Sequence, residues 1–159
     1  MIGYKPQLAR SGNGFVTALI VTEGNAADST QLVPIVEQIR QRTGEPPQDL
    51  TADDGYAVEA LRDQLLADGI QHVYFCGTHA KAFTPEPEWE DPLYQEARRG
   101  RSAVESLMFV LKYLFGFRRL RRCGLQAVQA ELLQKAIVHN FYRMVLLRSR
   151  AQAAARKAA

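Results

Sequence analysis

Arg101, Glu105 and Lys112 are spaced at offsets of 4 and 7. At about 100° per residue, a helix carrying them brings all three into one narrow stripe. Glu105 is the only acid between Arg98 and Arg122, in the company of Arg98, Arg99, Arg101, Lys112, Arg118, Arg119, Arg121 and Arg122. A carboxylate isolated among bases in this way suits a metal-bound phosphate. The other face of the same helix carries Val104, Leu107, Met108, Val110, Leu111, Leu114 and Phe115, which predicts packing on that side. Upstream, Asp53 and Asp54 end a short strand and precede Gly55, and open α/β sheets keep their ligands at the carboxyl ends of strands. Asp53 and Glu105 stand 52 positions apart, a separation that folding can close. Two neighbouring carboxylates hold Mg²⁺ or Mn²⁺ while leaving positions for water and phosphate, and such ions stabilise the oxygens of an in-line displacement. Phosphodiester chemistry on nucleic acid is the first reading. Plainer roles stand beside it: Asp53 as a cap for the next helix, Glu105 as the partner of Arg101 one turn earlier.

The formal net charge of +3 conceals a sorting of charge along the chain. Residues 1–97 hold 6 basic and 15 acidic side chains, net −9, and residues 98–159 hold 14 and 2, net +12. A cationic block of this size can neutralise several backbone phosphates and give strongly salt-dependent binding. Acidic lipid would attract it too, but no long uninterrupted apolar helix lies beside the arginines, so a membrane span is not expected. With 159 residues, 47% of them hydrophobic, the chain can bury one good core. Cys76 and Cys123 lie 47 positions apart with no leader at Met1, which favours a reducing cytoplasm over a disulfide framework. His72, Cys76 and His79 form too loose a trio for a four-ligand zinc site.

The elements that must position these residues alternate. Residues 3–8 and 14–22 read as strands joined by the turn Ser11-Gly12-Asn13-Gly14. A helix follows to about Arg42, capped within Ala27-Asp28-Ser29, with Leu32, Val36 and Ile39 on one face and Gly44 past its end. Residues 48–52 form a strand, 57–67 a helix with Leu61, Leu65 and Leu66 inward, and 70–76 another strand. This alternation predicts an α/β fold with part of its sheet parallel. From 77 to 100, Pro85, Pro87 and Pro92 among acids predict a solvated loop. Helices over 101–115 and 125–148 come next. The expected organisation is an α/β core with its acidic loop over 1–97, a basic helical part over 98–150, and a disordered tail over 151–159.

These residues resemble a known family. Ala52-Asp53-Asp54-Gly55-Tyr56 is similar to the Ala-Asp-x-Gly-Tyr motif around the second catalytic aspartate of DDE transposases from bacterial insertion sequences. Arg101, Glu105 and Lys112 resemble the Arg-(3)-Glu-(6)-Lys part of their Tyr-Arg-Glu-Lys signature. Gly3-Tyr4-Lys5-Pro6-Gln7, and Val21-Thr22-Glu23-Gly24-Asn25 followed by Asp28, resemble the strand pair before the second aspartate. Asn140 near Arg143 resembles the late Asn-Leu-x-Arg-Leu stretch, so the resemblance runs over about 3–147. It implies an RNase H-like fold, hydrolysis of a phosphodiester at each transposon end, and attack of the freed 3′-hydroxyl on target DNA. It also implies that Asp53 and Glu105 bind Mg²⁺ or Mn²⁺, that Lys112 contacts the phosphate near the cut, and that Arg101 holds Glu105 or a phosphate. Arg98, Arg99, Arg118, Arg119, Arg121 and Arg122 would then track the DNA backbone, in a homodimer on paired ends, in the cytoplasm at the nucleoid.

Two departures stand out. Arg98 occupies the place of the signature tyrosine, and the family's first catalytic aspartate belongs to a central strand that would precede Gly3. The expectation is therefore the C-terminal part of a truncated or frameshifted transposase, incomplete at its central strand and inactive alone, with Asp28 serving as a helix cap. Two rivals remain. A non-catalytic DNA-binding remnant of a decayed insertion sequence would keep the basic helices without cleavage, whereas a Mg²⁺-binding receiver-like module would have no need of them.

Overall fold

The computed structural model describes residues 3–158; Met1 and Ile2 of the expected α/β core, and Ala159 of the expected tail, lie outside the described residues. Strands β1 (Tyr4–Arg10) and β2 (Val16–Glu23) form an antiparallel hairpin closed by the bond from Gly14 N to Ser11 O, 2.8 Å. Helix α1 (Ser29–Thr43) leads to β3 (Asp49–Asp53), helix α2 (Glu59–Ala67) and β4 (His72–Cys76). β3 and β4 pair in parallel, a pairing that needs the crossover α2 supplies. Helices α3 (Glu86–Glu90), α4 (Pro92–Gly100), α5 (Ser102–Tyr113) and α6 (Leu125–Ala158) complete the chain. The fold is α/β, and among the described residues its strands form two separate two-stranded sheets.

Each sheet has its own hydrophobic cluster. Val16, Leu19 and Val21 of β2 meet Leu107 and Leu111 of α5 and Val128, Leu132 and Ala136 of α6. Leu50 and Phe75 of the parallel pair meet Leu32 and Val36 of α1 and Leu65 of α2. Both clusters follow from the periodicity of the sequence, 2 along the strands and 3.6 along the helices. The outer edge of β2 is closed by side chains instead of a strand. Asn140 accepts from Val16 N at 2.8 Å and donates to Val16 O at 2.9 Å, while Gln129 accepts from Val21 N at 2.6 Å and donates to Leu19 O at 2.7 Å. Leu19 N finds Gln38 of α1 at 2.9 Å. Amide side chains three helical turns apart on α6 thus satisfy an edge that would otherwise be left open.

The structure departs from the sequence expectations at several points. Residues 77–100 are not a solvated loop: α3 and α4 occupy much of this stretch, and Tyr94 is only 1% exposed, edge-on to Tyr74 and packed on Trp89. The prolines there stand at helix starts, where a missing N–H costs nothing. Asp91 accepts from Leu93 N at 2.8 Å to cap α4, and Arg62 of α2 grips Glu88 through a fork of 2.7 and 2.9 Å. Residues 151–158 are not a disordered tail but the last turns of α6; alanine-rich sequence favours helix even without an apolar face. Asp28 makes no cap bond to α1, and its carboxylate takes Gln7 Nε2 and Lys5 Nζ instead. On α5 only Leu107 and Leu111 are buried, and Val104 and Leu114, expected to pack, are exposed.

Asn140→Leu would strand both polar groups of Val16, which is 6% exposed. We expect a loss of about 1–3 kcal/mol per unpaired group, read as a lower urea midpoint. An unchanged midpoint would show that α6 does not hold this edge.

Candidate active site at the ends of the parallel strands

Parallel pairing sets the carboxyl ends of β3 and β4 side by side, with Asp53 opposite Cys76. At Asp53 the chain turns sharply, and its carboxylate accepts the next amide, Asp54 N, at 2.8 Å. The same oxygen, Oδ1, also accepts from Arg101, which stands where α4 passes into α5: its Nη1 reaches Asp53 Oδ1 at 2.7 Å, and its Nη2 lies 4.0 Å from Glu105 Oε1. One guanidinium therefore stands between the two acids singled out in the sequence. The hydrogen bond to Asp53, then that carboxylate's charge, holds Arg101 above its ordinary pKa. Both acids remain open to solvent, Asp53 56% and Glu105 70% exposed. Among the described residues no group of three or more His, Cys, Asp or Glu side chains is placed to hold a metal ion; Asp53 and Glu105 offer two hard-oxygen groups, with Arg101 on Asp53 Oδ1.

Lys112 lies two turns beyond Glu105 on the same exposed side of α5, and both line an open groove with Val104, Met108, Phe109 and Tyr113. The remaining bases are not gathered into one patch. Arg98 and Arg99 belong to the last turn of α4, whereas Arg118, Arg119, Arg121 and Arg122 follow α5 at its far end. At 1.5 Å per residue the 12 residues of α5 span about 18 Å between the two groups.

Two anchoring networks escaped the sequence reading. Asp54 accepts the amides of Thr78, His79 and Ala80 at 3.0–3.1 Å and the His79 ring at 2.8 Å, tying the turn after β3 to the turn after β4. Gly77 permits this approach, since a Cβ there would stand 2.2 Å from Asp54 Cγ. Tyr56 donates to Gln7 Oε1 at 2.9 Å, and Gln7 Nε2 donates to Asp28 at 2.8 Å, so the same turn is bound to the hairpin. Burial, then the charges of Asp28 and Asp53, pushes the Tyr56 phenol up to about 12. A glutamine inside a strand and the tyrosine of the motif were the available signals. His72, meanwhile, pairs with Asp49 at 2.7 Å, and Cys76 is buried, its thiol pushed up by that burial.

Burial alone would raise the Asp54 carboxyl, but the amides of His79 and Ala80 and the His79 ring outweigh it and hold the group below its ordinary value of 3.8. A group depressed in the folded state contributes stability that is fully present above its unfolded pKa and lost as pH falls through the folded one. Urea melts should therefore show a loss of stability as pH falls below 3.8. Asp54→Asn should be weaker at neutral pH and lack this part of the acid response. An unaltered acid response in the variant would contradict the anchor.

Among the described residues no helix is long and apolar enough to cross a membrane. Over residues 2–141 the sequence matches the family described as transposase DDE domain, a span that includes Asp53, Arg101, Glu105, Lys112 and Asn140. Neither the curated proteins nor the solved structures contain a significant match. The chain belongs to the DDE transposase domain family.

Proposed function

We propose that the chain contributes two acids to a transposase core of the Tyr-Arg-Glu-Lys type, in which Asp53 and Glu105 hold Mg²⁺ or Mn²⁺ against a DNA phosphodiester. The observation that carries the reading is the Arg101 guanidinium set between the two carboxylates, at 2.7 and 4.0 Å. Elements distant in sequence converge on one cationic group, the position a divalent ion would take. When bound, such ions polarise the scissile phosphate and stabilise the attacking and leaving oxygens. Arg101 then turns from Asp53 to a phosphate while remaining within one helical turn of Glu105. Lys112 neutralises the phosphate beside the cut. Arg98, in the tyrosine's place, acts with Arg99, Arg118, Arg119, Arg121 and Arg122 on the DNA backbone, fixing register without reading bases.

In an RNase H-like core, a further strand carrying the first catalytic aspartate lies between β1 and β3. In support, neither strand has a second strand neighbour among the described residues. On this reading cutting needs the acid of that strand together with Asp53 and Glu105. The complete enzyme works on transposon ends and target DNA at the nucleoid, as a homodimer. A second reading, a non-catalytic DNA-binding remnant, draws on the Arg101–Asp53 pair itself, because a guanidinium that stays in place excludes the ion.

Joined to a segment supplying the strand, the chain should cut labelled transposon-end DNA in Mg²⁺. Asp53→Asn or Glu105→Gln should slow cutting by about a thousandfold or more, ~4 kcal/mol of barrier. Binding without cutting would favour the remnant, and undiminished cutting by either variant would remove the assigned role. Lys112→Ala should impair cutting and lower the salt slope of DNA binding by about one. Its urea stability should stay within about 0.5 kcal/mol, as at other exposed positions; a slope equal to wild type would exclude the phosphate contact.

A further inference from the structure

The basic part of the chain holds two acids, Glu105 and Glu131. Glu131 turns inward from α6 and is only 7% exposed. Its Oε2 accepts the amides of Arg121 and Arg122 at 2.9 and 3.0 Å, and its Oε1 accepts from Lys135 Nζ at 2.6 Å. Lys135 Nζ also donates to the carbonyls of Gly116 and Arg119, at 2.8 and 3.1 Å. Every one of these bonds holds the main chain of the turn between α5 and α6, or joins the two holders. Gly116 takes the left-handed conformation at φ 73°, open to few other residues, and Phe117 is buried beneath the turn.

Outward, the turn presents Arg118, Arg119, Arg121 and Arg122, all exposed and none paired with a carboxylate among the described residues. Four guanidinium groups this close repel one another, and an unheld turn would open to separate them. An acid placed to neutralise them would bond their side chains. Glu131 bonds the backbone of Arg121 and Arg122, Lys135 that of Arg119, and the four side chains are left without a carboxylate among the described residues. The Lys135 ammonium first, then the two amides, holds the Glu131 carboxyl below its ordinary range, so it stays ionised at neutral pH.

We infer that Glu131 is a positioning residue for DNA binding: with Lys135 it fixes the turn so that four arginines stand ready against the phosphate backbone. The inference rests on the DNA reading above. It carries a sign opposite to simple electrostatics. Removing a negative charge from a DNA-binding surface ordinarily strengthens binding, and here it should weaken it, because the arginines must be ordered by the ligand instead of by the fold.

The test is anisotropy titration of a random-sequence duplex over a range of salt, with circular dichroism confirming that each variant is folded. Glu131→Gln should bind about tenfold more weakly, with a salt slope reduced by about one to two. Glu131→Asp keeps the charge but shortens its reach, and should bind more weakly too; it decides the matter if the Gln variant does not fold. In a background of Arg121→Ala and Arg122→Ala, Glu131→Gln should add little, since its effect runs through those side chains. A merely structural role would add its full loss there. Wild-type or tighter binding by the folded Glu131 variants, or full additivity, overturns the inference and leaves the DNA reading intact. No DNA binding by the wild-type chain overturns the DNA reading itself and this inference with it.

Discussion

Asp53 and Glu105 come from different parts of the fold, and the positive charge set between them is Arg101, at 2.7 and 4.0 Å. Asp53 belongs to the parallel strand pair and its cluster around Leu50, Leu65 and Phe75, whereas Glu105 belongs to α5, whose inner face packs with the hairpin and α6. The site thus lies where the two hydrophobic clusters adjoin. Because Asp53, Glu105 and Arg101 are all more than a third exposed, solvent screens the bridge and it adds little stability. Its importance is placement. The tie that resists screening is the half-buried chain from Tyr56 through Gln7 to Asp28, which fixes the Asp53 turn to the hairpin from the other side.

Periodicity and motif made most of this arrangement legible. The strands and the helices α1, α2 and α5 fell within a few residues of their expected limits, because alternation and a 3.6-residue stripe record which face is buried. Arg101 and Glu105 were found from helical spacing and motif, Asp53 from its place at a strand end and its motif, and their convergence depended on the fold. The reading failed where composition stood in for geometry. Pro85, Pro87 and Pro92 read as breakers, yet proline is at home in a helix's first turn, and one buried Tyr94 suffices to order an acidic segment. Asp28 read as a cap, but Lys5 and Gln7, brought near by the hairpin, compete for the same carboxylate.

The structural roles that escaped notice share a property: each side chain acts on the backbone of another element. Asp54 holds the amides after β4, Asn140 and Gln129 complete the edge of β2, Arg143 donates to Asn13 O at 2.7 Å, and Glu131 holds the arginine turn. Such bonds leave no periodic trace in one sequence. Four of these residues, Gln129, Glu131, Asn140 and Arg143, lie on α6 and make that helix the frame for the hairpin and the arginine turn. It satisfies the hairpin's open edge along one stretch and sets the cationic turn with another, so the surface proposed to meet DNA and the element carrying Glu105 are registered against the same helix.

The proposed divalent-ion site joins Asp53 and Glu105, and it requires Arg101 to withdraw. A crystal structure of the chain grown with Mn²⁺, with anomalous data collected at the manganese edge, tests it most directly. The account predicts an anomalous peak about 2.0–2.2 Å from an oxygen of each carboxylate, with Arg101 displaced from Asp53. No peak, with the Arg101–Asp53 pair intact, would contradict it.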